Sequence, residues 1–164
     1  IGDLDSVSDD ALNILAEQIE ILEFPPEKEK TDSEIALDYC VEKGFDTVTM
    51  VNAVNGRLDH SLANIFLAES FLQKGLSLYF INRKNEIFVL HDQDEINFQE
   101  QIGAEISLIP LSQQVFVKST AGLKYQLKDE ILYRDRSRGV SNVASDNKIT
   151  IRISSGILLI IRGR

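Results

Sequence analysis

Thr47-Val48-Thr49-Met50-Val51, the loop Asn52 to Gly56, the run Arg57-Leu58-Asp59-His60-Ser61-Leu62-Ala63-Asn64-Ile65-Phe66 and the segment Gly75-Leu76-Ser77-Leu78-Tyr79-Phe80-Ile81 decide the fold. The first piece is rich in β-branched residues and too short for a helix, so it reads as a strand. Asp59 is a natural cap for a helix that carries Leu62, Ile65, Phe66 and Leu72 and is stopped by Gly75. Leu76 to Ile81 then reads as a second strand. Two strands joined through a helix pair in parallel with a right-handed crossover.

Upstream the same alternation continues. Ser8 can cap a helix with Leu12, Leu15, Ala16 and Ile19 on one face, and Ile19 to Phe24 reads as a short buried strand ended by Pro25-Pro26. Thr31 and Glu34 stand at capping-box spacing, opening a helix through Ile35, Ala36, Tyr39 and Cys40 that Gly44 terminates.

From about residue 92 onward the pattern changes to short strands separated by turn signals. Candidate strands are Glu86 to Leu90, Glu105 to Ile109, Val115 to Lys118, Leu123 to Leu127, Lys148 to Ile153 and Ile157 to Ile161. Alternation is clearest in Ile149-Thr150-Ile151-Arg152-Ile153, as a sandwich layer requires. Ser155-Gly156 predicts a final hairpin, and Ile157 to Ile161 a strand covered on both faces. The expected fold class is an N-terminal α/β domain with a parallel sheet over residues 1–91, followed by a C-terminal β-sandwich over 92–164. The chain opens on Ile1 with no strand leading into Gly2-Asp3, so the α/β domain is expected to be incomplete at its N-terminus.

The bulk numbers narrow the function. A chain of 164 residues with 43% hydrophobic residues can bury a sizeable core. A net charge of −9 repels phosphate backbones and anionic membranes, which argues against nucleic acid and membrane partners. The sequence shows neither an apolar run long enough to span a bilayer nor a secretory leader. One cysteine, Cys40, cannot form an intrachain disulfide, and it reads as a buried small hydrophobe in a cytoplasmic protein.

Three polar clusters interrupt the apolar pattern: Gly2-Asp3-Leu4-Asp5-Ser6, Lys30-Thr31-Asp32-Ser33-Glu34 and Gly56-Arg57-Leu58-Asp59-His60. Each falls at a turn or helix start, where free amides and side chains are available to ligands. Asp3 and Asp5 point to one side of an extended chain, and a turn at Gly2 can bring both onto one hydrated Mg²⁺, with Asp32 as a third carboxylate. Thr31 offers a hydroxyl beside that helix start. Taken singly, each cluster has a plainer reading. Asp-x-Asp is common in turns, Thr31-x-x-Glu34 is a capping box, and Arg57 to His60 can be a surface turn before a cap. Their combination points to a magnesium-nucleotide site.

The clusters also resemble thiamine pyrophosphokinase. Gly-Asp-x-Asp-Ser, Lys-x-x-Thr-Asp-x-Glu-x-Ala-Leu at Lys28 to Leu37 and Gly-Arg-Leu-Asp-His-x-Leu-Ala-Asn at Gly56 to Asn64 stand in that family's order. Thr120-Ala121-Gly122-Leu123-Lys124-Tyr125-x-Leu127, Ser141-Asn142 and Ser154-Ser155-Gly156-Ile157-Leu158 resemble its C-terminal signatures, so the likeness covers nearly the whole chain. It implies Mg²⁺-dependent transfer of the pyrophosphoryl group of ATP to the thiamine hydroxyl, giving thiamine diphosphate and AMP. Asp3, Asp5 and Asp32 would hold Mg²⁺. Thr31, Arg57 and Asp59 would contact the nucleotide phosphates or orient the reacting groups, with Lys28 on a loop near the substrate. The resemblance further implies a homodimer in which Ser141 and Asn142 line the thiamine pocket. Tyr125 offers an aromatic face there or packs in the sandwich, and packing is the favoured role.

Three features depart from the pattern. Asn52 and Asn55 stand where glycines are common, Glu29 replaces a frequent aspartate, and the aspartate and glycines of an earlier strand have no counterpart before Ile1. Two other functions fit the clusters alone: a magnesium-dependent phosphotransferase or phosphatase with an aspartate nucleophile, and a non-catalytic binding module.

Overall fold

The computed structural model describes residues 1, 2, 8, 10, 13, 14, 18–25 and 27–163. Internal packing divides the chain into Ile1–Asp46 and Thr47–Arg164.

In the first unit, helix α1 spans Asp32–Glu42. Thr31 is its N-cap, with Oγ1 accepting the Glu34 N–H at 3.3 Å, and Asp32 and Glu34 place negative charge in the first turn. Gly44 ends it as anticipated. Its left-handed φ of 78° lets the Gly44 N–H reach Val41 O and the Phe45 N–H reach Cys40 O, a Schellman closure. Leu37 is the buried residue of the helix, and Cys40 is half-buried and unbridged.

The buried strand expected at Ile19 to Phe24 is not formed. It contracts to one parallel bridge between Gly2 and Glu23, made by Gly2 N–H to Leu22 O and Phe24 N–H to Gly2 O. The helix expected from Ser8 lies largely outside the described residues, and Ile19, assigned to its apolar face, is 56% exposed at a bend.

The second unit holds ten strands and one helix among the described residues: β1 (Thr47–Val51), α2 (Leu58–Gln73), β2 (Ser77–Ile81), β3 (Asn85–Leu90), β4 (Glu95–Gln99), β5 (Glu105–Pro110), β6 (Gln114–Ala121), β7 (Lys128–Tyr133), β8 (Asn142–Val143), β9 (Lys148–Ser155) and β10 (Leu158–Gly163). They form a six-stranded sheet in the order β1-β2-β3-β10-β5-β8 and a four-stranded sheet in the order β4-β9-β6-β7. The β1–β2 pair is parallel, as its helical connection requires, and the other pairs are antiparallel. The fold is therefore α/β passing into a β-sandwich, with β3 linking β2 to β10.

The sandwich core is built from alternate residues of both sheets: Ile106, Leu108 and Ile160 from one, Val115, Val117, Leu132, Ile149, Ile151 and Ile153 from the other. Each such side chain contributes about 1.5–3 kcal/mol by leaving water. Leu158, Leu159 and Ile160 are all buried, which matches the strand expected to be covered on both faces. Arg162 ties the sheets together, donating from Nε to Glu86 Oε2 at 2.7 Å and from Nη1 to Gln99 O at 3.1 Å, with Phe88 and Phe98 beneath its guanidinium.

Two strand expectations are corrected, and two strands go unanticipated. Leu123 to Leu127 is a loop. Gly122 turns the chain at φ 78°, and the Asn142 amide occupies the Tyr125 N–H and C=O that a strand ladder would have used. Ser155-Gly156 is no hairpin, because β9 pairs in the four-stranded sheet and β10 in the six-stranded one, so the turn carries the chain between layers. Gly156 serves it with φ 91° and an N–H donated to Asp92 Oδ1 at 2.6 Å. Strands β4 and β7 were hidden by their charged residues, Glu95 in one and Lys128, Asp129 and Glu130 in the other.

Helix α2 is also corrected. Arg57, not Asp59, is the N-cap, and Asp59 sits in the first turn. The buried face is Ser61, Asn64, Ala68 and Phe71, whereas Leu62 and Phe66 are 42% and 55% exposed. The polar half of that face faces inward because it bonds the preceding loop. Gly75 ends the helix as expected, again by a Schellman closure onto Leu72 O and Phe71 O. Among the described residues, no helix is long and apolar enough to cross a membrane.

Candidate functional site

Asp3 and Asp5 lie outside the described residues. Asp32 stands in the first turn of α1 against the Gly2 backbone, and a methyl at Gly2 would fall 2.7 Å from Asp32 Oδ2. The lack of a side chain at Gly2 therefore lets the carboxylate approach the residue that precedes Asp3. Lys28 Nζ lies 2.9 Å from Asp32 Oδ1 and donates to Pro25 O at 3.1 Å. Oδ1 is sealed from solvent and, among the described residues, no donor is directed at it; the ammonium compensates its charge from off the hydrogen-bonding direction. A buried carboxylate oxygen without a directed donor is a fit partner for a hard divalent cation, which takes oxygen ligands. Among the described residues, no group of three or more His, Cys, Asp or Glu gathers as a complete metal site.

Thr31 is engaged as the cap of α1, so its hydroxyl already serves the helix. Beside it, a cavity of about 470 Å³ is lined by Phe24, Lys28, Glu29, Ile35 and Tyr39 among others. Lys30 on its rim pairs with Asp38 at 2.6 Å and Glu34 at 3.9 Å, and its pKa is raised chiefly by the hydrogen bond to Asp38.

In the second unit, Arg57 and Asp59 are brought together at the start of α2. Arg57 Nη2 donates to Asp59 Oδ2 at 2.6 Å and Nε to Oδ1 at 3.2 Å, while the His60 N–H donates to Oδ1 at 3.0 Å. The Arg57 hydrogen bond, then the His60 amide, lowers the Asp59 pKa to about 2, and the same contact raises that of Arg57. Both groups are charged at neutral pH. They are 73% and 64% exposed, so solvent screens their attraction and a multiply charged anion can compete for the guanidinium.

The backbone beneath this fork is held firmly. Asn52 and Gly56 adopt left-handed φ values of 57° and 77°. An asparagine tolerates that conformation, so the loop keeps its turn where glycines are more usual. Asn64 Nδ2 donates to Ala53 O and Asn82 Nδ2 to Val54 O, both at 2.7 Å. Arg57 O accepts from Ser61 N at 3.0 Å and Ser61 Oγ at 2.9 Å. Asn82 was not legible in advance as part of this arrangement, since its only local signal is a polar turn between two strands.

Ser141 and Asn142 take different parts. Ser141 is exposed, with φ 54° and its N–H donated to Ser107 Oγ at 3.0 Å. Asn142 is 2% exposed with both polar atoms of its amide engaged: Oδ1 accepts from Tyr125 N and Val143 N, and Nδ2 donates to Tyr125 O at 2.7 Å. Tyr125 does not pack in the sandwich. It is 51% exposed, with Lys124 Nζ 5.4 Å from its ring centroid, because the loop that carries it is pinned by its backbone and not by its ring.

Two family models match the chain in sequence order: Thiamin pyrophosphokinase, catalytic domain, over residues 1–80, and Thiamin pyrophosphokinase, vitamin B1 binding domain, over residues 93–158. The thiamine pyrophosphokinase of Bacillus subtilis (strain 168) is 26% identical over 162 residues, spanning 98% of this chain and 76% of that protein. Among solved structures, thiamine pyrophosphokinase from Bacillus subtilis superposes with a TM-score of 0.83 at 26% identity, covering 99% of this chain and 76% of the other. The enzyme from Geobacillus thermodenitrificans gives 0.76 at 29% identity, covering 99% and 75%. With both of the family's regions matched in order and its fold shared, the chain belongs to the thiamin pyrophosphokinase family.

Proposed function

We propose that this chain transfers the pyrophosphoryl group of ATP to the hydroxyl of thiamine, releasing AMP. The observation that carries the reading is the coexistence of a catalytic-domain match and a vitamin B1 binding match in one chain. The exposed Arg57–Asp59 fork at a helix start adds to it. In this reaction the thiamine hydroxyl oxygen bonds to the β-phosphorus as the bond from that phosphorus to the α-phosphate oxygen breaks. AMP leaves with that oxygen, and the hydroxyl proton passes to solvent.

Arg57 meets the phosphates, exchanging its intramolecular carboxylate for oxygens that gain charge in the transition state. Asp59 holds the guanidinium ready in a planar, two-bonded orientation. Asp32, with Asp3 and Asp5, supplies carboxylate oxygens for Mg²⁺, and Lys28 beside Asp32 balances that charge when the ion is away. Mg²⁺, when bound, neutralises phosphate oxygens. Thr31 fixes the start of α1, the turn that carries Asp32. Asn142 presents Tyr125, which with Ser141 faces the thiamine.

We assign catalysis to residues 1–91 and thiamine binding to 92–164, and place the protein in the cytoplasm as a homodimer. The exposed Leu58, Leu62 and Phe66, one turn apart along α2, give a second copy an apolar surface to cover.

Incubation with thiamine, ATP and Mg²⁺ followed by product analysis tests the reaction. AMP formed in step with thiamine diphosphate is expected. Inorganic phosphate with a labelled aspartate would instead indicate an aspartyl phosphotransferase, and no heat of binding with either ligand would indicate a non-catalytic module. Asp5→Asn is expected to abolish most turnover with the fold intact, and unchanged turnover removes the metal assignment.

A further inference from the structure

Arg57 and Asp59 are so exposed that packing cannot set their direction, yet phosphate recognition depends on where the guanidinium points. Asp59 orients the guanidinium within the fork, and the fork as a whole takes its direction from the backbone of the 52–57 loop. Two consecutive carbonyls of that loop, Ala53 and Val54, each accept one side-chain amide, and the amides arrive from different elements. Asn64 comes from α2 and is 7% exposed; Asn82 comes from the β2–β3 turn and is half-buried. Asn82 is itself fixed, since its Oδ1 accepts the N–H groups of Lys84 and Asn85, both at 2.8 Å. At the loop's entry, Asn52 N–H bonds Ile81 O at 2.8 Å. The loop is therefore clamped to the strand on one side and the helix on the other, immediately before Arg57.

We infer that Asn64 and Asn82 are positioning residues that set the path of the 53–57 backbone and through it the aim of Arg57 at the nucleotide phosphates. The inference rests on the reading that Arg57 meets those phosphates. Neither asparagine touches substrate; each acts through the loop.

Asn82→Asp keeps the acceptor used by Lys84 and Asn85 and replaces the N–H that holds Val54 O by a carboxylate oxygen that repels it, so the clamp on the loop opens while the turn stays bonded. Asn64→Asp does the same for Ala53 O, and Asn82→Asp alone serves if that buried variant does not fold. Each variant is expected to lower kcat/KM for ATP at least about tenfold, with the KM for thiamine changed less than about twofold. In an Arg57→Ala background the same substitutions are expected to cost nothing further, the signature of two residues acting through one group. An equal loss with and without Arg57, or a matching rise in both KM values, overturns the positioning role. Inert asparagine variants beside a damaging Arg57→Ala overturn it alone, whereas an inert Arg57→Ala overturns the Arg57 assignment and the positioning role together.

Discussion

The loop at 52–57 and the loop at 122–127 are both stitched by an asparagine amide, yet they use their residues in opposite ways. In the sandwich, Leu123 and Leu127 are each 1% exposed, Thr120 Oγ1 takes the Leu127 N–H at 2.8 Å, and the Asn142 amide bonds the Tyr125 backbone of the loop and the Val143 N–H of β8. Near α2, the Asn64 and Asn82 amides hold the backbone carbonyls of Ala53 and Val54, and Arg57, Leu58 and Asp59 stand in solvent. Burial shapes the first loop, and hydrogen bonds from neighbours shape the second. Damage to the first should appear as lost stability, and damage to the second as lost turnover.

Arg57→Ala puts that contrast to its hardest test. It is expected to lower kcat/KM about 10²–10³-fold, as removal of a transition-state donor does, while unfolding free energy moves by less than about 0.5 kcal/mol. Steady-state kinetics beside urea unfolding check both halves, and a large stability loss would erase the distinction. Gly122→Ala is the mirror case. Its new methyl meets the Lys148 carbonyl at a left-handed φ of 78°, so a loss of about 3 kcal/mol is expected from the unfolding midpoint. Asn142→Ala strands the Tyr125 N–H and C=O and the Val143 N–H, for about 2 kcal/mol, and is expected to raise the KM for thiamine without touching that for ATP.

Thr31→Ala removes the cap of α1 and is expected to cost about 1 kcal/mol, measured by loss of helical circular dichroism on heating. The smallest effect is in pH. Asp59 is depressed to about 2, so its contribution is present above the ordinary carboxylate value and lost only as pH falls through about 2. NMR titration should therefore find the Asp59 carboxylate ionised throughout about pH 5 to pH 9, and Arg57→Ala should return Asp59 toward the usual carboxylate range.

Much of this was legible in the chain. Local chemistry announces itself, so the cap at Thr31, the stops at Gly44 and Gly75, the strand at Thr47–Val51 and the doubly covered final strand could all be read. The motifs at Lys28 to Leu37 and Gly56 to Asn64 were equally plain, since chemistry of this kind needs particular side chains at short spacing. What misled was any inference that required knowing a distant partner. Leu62 and Phe66 look like a core face, but the loop before α2 needs Asn64 and Ser61 on its own side. Leu123 to Leu127 looks like a strand until Asn142, far along the chain, takes its backbone groups.

The sequence by itself determined the kinds of element, most of their ends and the charged groups available for chemistry, because propensity, capping and turn preferences act over a few residues. Only the tertiary structure decided that Ser155-Gly156 crosses between sheets, that Tyr125 faces outward and that two asparagines clamp the loop before Arg57. Those outcomes depend on which hydrogen-bonding groups meet after the layers pack, and no short stretch of chain encodes its partner.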